Sequence, residues 1–314
     1  VDVIHAHMHD GALIGYFVSR LRRVPLVFDY QGSLTLEMID HQFLRQDSPL
    51  YRPLFWLERT IDHLPDALVT SSSNAAAGLA ARQRPGGPPI RTIPDAVDLA
   101  TFVAPPTSEV QSLRRRLGIP PGRDVVGFVG LLAEYQGVGH LIYAARRVIE
   151  RRPNTHFLIM GYPGLERYRR QAHDLQILDH VTFTGRVPYE QLPLHLALAD
   201  IAVSAKMSIS EANGKLMNYM AMGLPTVAYG TTVAREILGD LGVYAPVGDI
   251  AALADRLQVL LDDSARREAL SAALRTRVAR EFSWDTVALQ LEGVYDELCR
   301  PAVERAATWR PLPD

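Results

Sequence analysis

The stretch Glu211-Ala-Asn-Gly-Lys-Leu-Met-Asn-Tyr-Met-Ala-Met-Gly-Leu-Pro-Thr-Val-Ala228 packs a loop, a helix and a strand into one short run. A polar loop with Gly214 enters a helical pattern over Lys215 to Met222, Gly223 stops it, and a β-branched strand follows over Pro225 to Ala228. A strand reached this way is the repeating unit of a parallel α/β sheet. The loop also carries chemistry. A helix entered from flexible backbone presents unpaired N–H groups and the positive end of its dipole, which suits an anion such as a diphosphate. Lys215 adds a full positive charge, and Glu211 and Asn218 can exchange hydrogen bonds with hydroxyls. A phosphate cradle beside hydroxyl readers fits a nucleotide sugar. Loop, helix, glycine and strand also continue any α/β unit, so the ligand reading depends on its surroundings.

Outward from this run, apolar strand patterns alternate with amphipathic helical ones, which predicts parallel sheets covered by helices on both faces. Strands are expected at Val3–Ala6, Leu26–Phe28, Ala67–Thr70 and Ile90–Ile93, with helical pattern over Gly11–Leu21, Leu34–Leu44, Leu54–Ile61 and Asn74–Arg82. A Pro-rich break, Val103 to Ser108, reads as an interdomain linker. A second alternation follows, with strands at Val125–Val129, His156–Met160, Val181–Phe183, Ile201–Val203, Thr226–Ala228 and Val243–Tyr244. The expected division is 1–104, 105–283, and a final helix within 284–314 that returns to the first domain. Two successive sheets of this kind imply a cleft facing their carboxyl ends, and ligands of open α/β sheets bind beyond those ends.

The composition sets the class. With 314 residues the chain is long enough for two cores, and 47% hydrophobic against 22% charged residues is the balance of a globular protein. A net charge of −2 gives no case for nucleic-acid binding. The single cysteine, Cys299, excludes an intramolecular disulfide and a zinc cluster of cysteines, and fits a cytoplasmic protein. No apolar run has the length of a membrane span. The chain opens inside a strand, Val1 to His7, without an initiator Met, which is read as an incomplete N-terminal domain.

With these motifs placed, the chain resembles a retaining glycosyltransferase of the GT-B fold, family 4 (glycosyl transferases group 1). Asp2-Val-Ile-His-Ala-His7 resembles that family's D-x-x-H-x-H strand, and Gln31-Gly32-Ser33 stands where the family has His-Gly-Ser. Ile93-Pro-Asp-Ala-Val-Asp98 with Phe102 resembles I-P-N-G-V-D-x-x-x-F, and Gly127-Phe-Val-Gly130 with Gln136-Gly137 resembles F-V-G-R-L and K-G. The opening stretch resembles the E-x7-E block and its trailing A-x-G-x-P-V-V-A. The resemblance implies two Rossmann-like domains facing a cleft, the first incomplete. It also implies transfer of a sugar with retention from a nucleotide diphosphate-sugar, without an obligatory cofactor or metal. The acceptor is left open as a glycan, a lipid-linked or a small molecule, and peripheral contact with the inner face of a membrane is a further expectation.

The same resemblance assigns roles. Glu211, Lys215 and Gln31 are the expected catalytic residues. Gly130, Gln136, Arg186, Asn213, Gly214, Leu216 and Asn218 are expected on the donor, and His7, Gly32 and Ser33 on the acceptor side. The family's diphosphate-binding Arg and Lys correspond here to Leu131 and Gln136, so Lys215 and backbone amides must supply the stabilisation. Asn218 replaces the second Glu of the block, one residue short of the family spacing, which implies a rearranged loop or Ser210 in place of Glu211. Arg186 reads either as a base or phosphate contact or as an exposed loop charge. His7 reads as a ligand contact or a packed histidine. His5, His7 and His9, at alternate positions, lack a partner Cys or carboxylate at ligand spacing, so no metal is expected. Arg20, Arg22 and Arg23 suit either a membrane surface or a helix C-terminus. The rival readings are a non-catalytic nucleotide-sugar binder and a GT-B epimerase or phosphorylase.

Overall fold

Short apolar runs bounded by Gly, Pro or Asp become strands, and the amphipathic runs between them become covering helices. The computed structural model describes residues 1–40, 43–208 and 212–300, and these form two units, residues 1–95 with 285–300 and residues 96–208 with 213–284. The first unit holds β1 (Ile4–His7), α1 (Met8–Arg22), β2 (Leu26–Tyr30), α2 (Leu34–Asp40), α3 (Tyr51–Ile61), β3 (Ala67–Thr70), α4 (Ser73–Arg82) and β4 (Ile90–Thr92). Its strands are parallel in the order β1-β2-β3-β4, with Ala6 beside Phe28 and Phe28 beside Leu68. β3 is buried throughout and β2 nearly so, as strands covered on both faces must be.

The second unit runs through α5 (Thr107–Arg116), β5 (Asp124–Val129), α6 (Val138–Arg151), β6 (Thr155–Met160), α7 (Leu165–Asp174), β7 (Val181–Gly185), α8 (Leu192–Leu196) and β8 (Ile201–Ser204). It continues with α9 (Lys215–Ala221), β9 (Thr226–Tyr229), α10 (Thr232–Leu238), β10 (Val243–Ala245), α11 (Ile250–Asp262) and α12 (Ser264–Glu281). All pairs are parallel, in the order β10-β9-β8-β5-β6-β7. Alternate residues go to opposite cores. Val126, Phe128, Phe157, Ile159 and Val203 meet α6, α7 and α11 on one face, while Val125, Leu158, Met160 and Ala202 meet α8, α9 and α10 on the other. A last helix, α13 (Trp284–Cys299), belongs from Asp285 onward to the first unit. There Arg91 donates to both carboxylate oxygens of Glu297 at 3.0 Å, and the His5 ring lies 2.5 Å from the Tyr295 hydroxyl.

Three local expectations change. α1 begins at Met8, not Gly11, with Met8 itself left-handed at φ 61°. His9 therefore sits in the helix, and the three histidines do not share a strand face. The Pro-rich break gives way to α5 at Thr107, a helix whose sequence TSEVQSLRRR buries only Leu113 and so has little apolar periodicity to reveal it. Val97, whose N–H bonds the Phe282 carbonyl at 2.9 Å, and Phe102 are both buried in the second core. Among the described residues no helix is long and apolar enough to cross a membrane.

His156, at the start of β6, is buried, with Nε2 2.8 Å from Thr182 Oγ1 and Nδ1 3.4 Å from an Arg123 guanidinium nitrogen. Arg123 can only donate, so Nδ1 is the accepting nitrogen and Nε2 carries the proton. Burial, then the Arg123 charge, lowers its pKa to about 4. Below pH 6.5 the unfolded chain gains a proton that the folded one refuses, so stability falls as pH drops from 6.5 towards 4. Urea unfolding is expected to lose on the order of 1–2 kcal/mol from this group between pH 7 and pH 5. His156→Gln should flatten that slope; an unchanged slope would contradict the assignment.

Candidate active site

In an open parallel sheet the strand order reverses once, and the loops on either side of the reversal diverge. Here the reversal falls between β5 and β8, which are paired through only two register positions, Val126 with Ile201 and Gly127 with Ala202. Beyond them the strands part. The Tyr219 hydroxyl, on α9, spans the gap: it accepts from the Val129 N–H at 2.9 Å and donates to the Val203 carbonyl at 3.3 Å. Tyr219 is fully buried, and burial pushes its pKa well up, so it stays a neutral hydroxyl.

α9 starts with Lys215, and its ammonium comes to the carboxyl end of β5. Nζ donates to Gln136 Oε1 at 2.6 Å and lies 4.5 Å from the Phe128 ring centroid. A Cβ at Gly130 would sit 2.7 Å from Nζ, and Gly130 has φ 152°, so glycine there keeps the space beside the ammonium open. Gln136 is held by Gly137, whose φ is 71° and whose Cβ would meet the Ala205 carbonyl oxygen at 2.0 Å. No other residue allows the β5 loop to lie against the end of β8. Asn213 is buried and its amide donates to Ser204 Oγ at 3.1 Å, which returns the incoming loop to β8.

Four of the expected donor-side residues, Gly130, Gln136, Asn213 and Gly214, thus lie around the strand reversal together with Lys215, one of the expected catalytic residues. Asn218 is half-buried one turn further along α9. Arg186 is exposed after β7, 5.3 Å over the Tyr162 ring that follows β6. Leu131 is 41% exposed on the β5 loop. Leu216 has its side chain in the core, and its N–H bonds the Asn213 carbonyl at 3.0 Å. Glu211 and Ser210 lie outside the described residues. Arg20 and Arg22 fall in the last turn of α1, the position that favours cations.

In the first unit the expected residues meet through a carboxylate the sequence did not single out. Asp29, at the end of β2, lies 2.7 Å from His7 Nδ1 and accepts from the Gln31 amide at 2.7 Å. Ser33 is buried and spends its hydroxyl on Glu58, which it meets at 2.7 Å. Glu58 also takes the Thr35 N–H at 2.9 Å and the Thr35 hydroxyl at 2.6 Å, so one buried carboxylate fixes the loop after β2. His5, behind this group, has its pKa lowered chiefly by burial. A cavity of about 370 Å³ opens beside the loop, lined by Met8, His9, Asp10, Gln31, Gly32 and Glu37 among apolar side chains.

Sequence reading missed Lys206, 4% exposed just past β8, although a lysine ending the run Ile201-Ala-Val-Ser-Ala205 was the available signal. It also missed Tyr219, which reads as an ordinary core aromatic. A larger hollow of about 640 Å³ touches Asp200 and Pro225, the residues before β8 and β9, and so lies at the opposite ends of the strands. Its Arg267 and Arg275 cap helix carbonyls at Leu260, Leu261 and Met222.

The chain is similar to known proteins. Residues 109–277 match the family model described as glycosyl transferases group 1. A D-inositol 3-phosphate glycosyltransferase of Corynebacterium efficiens is 29% identical over 307 residues, 94% of this chain and 71% of that protein. A 2-deoxystreptamine glucosyltransferase of Streptomyces kanamyceticus is 29% identical over 298 residues, 90% of this chain and 73% of that protein. Among solved structures, HepE of Anabaena with UDP and glucose superposes with a TM-score of 0.80 at 19% identity, over 95% of this chain and 78% of its own. Sucrose-phosphate synthase of Thermosynechococcus elongatus gives 0.79 at 23% identity, over 95% of this chain and 73% of its own. These likenesses give the GT-B fold.

Tyr219→Phe keeps the packed ring but orphans the Val129 N–H and the Val203 carbonyl. Loss of about 1–3 kcal/mol of stability is expected in urea unfolding. A variant as stable as the parent would show that the bridge is dispensable.

Proposed function

We infer the reaction from one premise: the chain belongs to the glycosyl transferases group 1 family, and it is an enzyme of glycosyl transfer. The proposal is transfer of a sugar from a nucleotide diphosphate-sugar to an acceptor hydroxyl, with retention at the anomeric carbon. The carrying observation is the convergence of Lys215, Gln136 and Gly130 at the reversal point of the sheet. We take the second unit as the donor domain, the role expected of residues 105–283, and the first unit as the acceptor-side domain, the role expected of 1–104 with 284–314.

In this reading the diphosphate lies against the Lys215 ammonium and the backbone N–H groups where Gly130 leaves room. Asn213 and Asn218 read hydroxyls, Arg186 reaches the base or phosphates, and Glu211 contacts the transferred sugar. The anomeric C–O bond breaks with its electrons leaving on the diphosphate, where the positive charge of Lys215 stabilises them. The acceptor oxygen forms the new bond on the same face, and its proton passes to the departing diphosphate oxygen. Such a route asks the protein for orientation more than for a strong base. Gln31, which has no acid–base function near neutral pH, is compatible with it, as are His7 and Ser33 as positioning groups. Kinship with glycosyltransferases, including a D-inositol 3-phosphate enzyme and a 2-deoxystreptamine enzyme, favours catalysis over a purely binding role.

UDP is a suitable probe, because HepE was solved with it. Lys215→Ala is expected to weaken UDP binding about 10–100-fold in calorimetry, the scale of one lost charge-assisted hydrogen bond. Unchanged affinity would remove Lys215 from the site. With an active donor and acceptor, product NMR should show the donor's anomeric configuration; inversion would rule out the same-face route.

A further inference from the structure

We propose that Asp29 is a positioning residue for glycosyl transfer: it fixes the His7 ring so that Nε2 accepts a hydrogen bond from an acceptor hydroxyl. This rests on the reading of the first unit as the acceptor side, and it names the carboxylate that prepares that side. The β1–β2 register sets His7 opposite Asp29 at the carboxyl ends of both strands. Asp29 Oδ2 lies 2.7 Å from His7 Nδ1, and Oδ1 accepts from the Gln31 amide at 2.7 Å. Each oxygen therefore holds one side chain expected at the site of transfer.

A carboxylate only accepts, so the proton of the His7–Asp29 bond sits on Nδ1. A neutral imidazole has one N–H and one lone pair, and fixing the first at Nδ1 leaves the second at Nε2. The His7 side chain is 63% exposed, and among the described residues Nε2 meets no partner. The lone pair is open to a ligand. Gln31 lines the 370 Å³ cavity of this unit, as does Met8, the residue that follows His7. The attacking hydroxyl keeps its own proton for the departing diphosphate, so the hydroxyl that meets His7 is a neighbouring one. The pair then supplies alignment and no base.

A structural role for Asp29 fits less well. Among the described residues no lysine or arginine pairs with it, and its oxygens brace no backbone N–H. The buried carboxylates nearby are spent inside the fold. Glu58 serves Ser33, Thr35 and Arg82, while Asp62 faces His9 at 3.3 Å and Arg82 at 3.6 Å. His5, two residues back on the same face of β1, has Nδ1 2.5 Å from the Tyr295 hydroxyl. Burial lowers its pKa, so it stays neutral and leaves the Asp29 charge to His7 and Gln31.

The test is NMR on the whole chain with isotope-labelled histidine at about pH 8, where free imidazole is neutral. His7 is assigned by the loss of its signals in His7→Gln. In the parent the His7 proton should sit on Nδ1, and titration with myo-inositol or glucose in the presence of UDP should shift the Nε2 resonance. Asp29→Ala should release the proton to Nε2, abolish that response and weaken polyol binding about tenfold, with UDP affinity unchanged. Asp29→Glu, which keeps a carboxylate, should restore the Nδ1 tautomer. A proton on Nε2 in the parent, or no Nε2 response to either polyol, overturns the proposal. So does an Asp29→Ala variant that binds polyol as the parent does. Failure of the acceptor-side reading itself looks different: His7→Gln and Gln31→Ala would then both leave polyol binding intact.

Discussion

The separation of β5 from β8 is the constraint on which the site rests. Parallel strands hold each other through evenly spaced backbone bonds, and where two of them part, each is left with polar groups that need another partner. Tyr219 supplies it with one hydroxyl that serves both strands. Because that hydroxyl is carried by α9, the helix is locked in rotation and depth, and Lys215 at its start inherits a fixed position. Core packing therefore determines where the ammonium stands. Gln136 and the Phe128 ring then refine the position from the β5 side.

The two units handle charge differently. In the second, the Lys215 ammonium is turned onto the neutral Gln136 side chain and the Phe128 ring. In the first, the charges are paired inside the protein. Glu58 is wholly buried yet has four hydrogen bonds, from Ser33, Thr35 twice and Arg82, which is the condition for keeping a carboxylate away from water. The result is a rigid loop after β2 that presents Gln31 and Gly32.

Much of this was legible in the chain itself. The strands β2, β3, β5, β6 and β8 are apolar runs with little ambiguity, and the Gly-Lys and Gln-Gly pairs marked loops that do meet in space. What stayed hidden had no local signature. Asp29 looks like a strand-end residue until His7 is seen beside it, and His7 is its neighbour only through the β1–β2 register. Glu58 and Asp62 belong to an ordinary amphipathic helix, and their meeting with His9 and Arg82 is made by tertiary packing. α5 was invisible because its sequence is mostly polar and its one buried residue sets no period. The place of Leu216 in the motif was clear, but the burial of its side chain was not.

The return of α13 has a consequence for biosynthesis. Glu297 closes on Arg91 across 206 residues, and Tyr295 on His5 across 290. At about 5–20 residues per second, a ribosome needs on the order of 10–40 s after Arg91 to make Glu297. For that interval β1 and β4 lack their closing helix, while the second unit, continuous in sequence up to α12, can already assemble. Vectorial synthesis therefore finishes the later unit first, and the earlier one waits, with an uncovered flank, for the chaperones or the last helix to reach it.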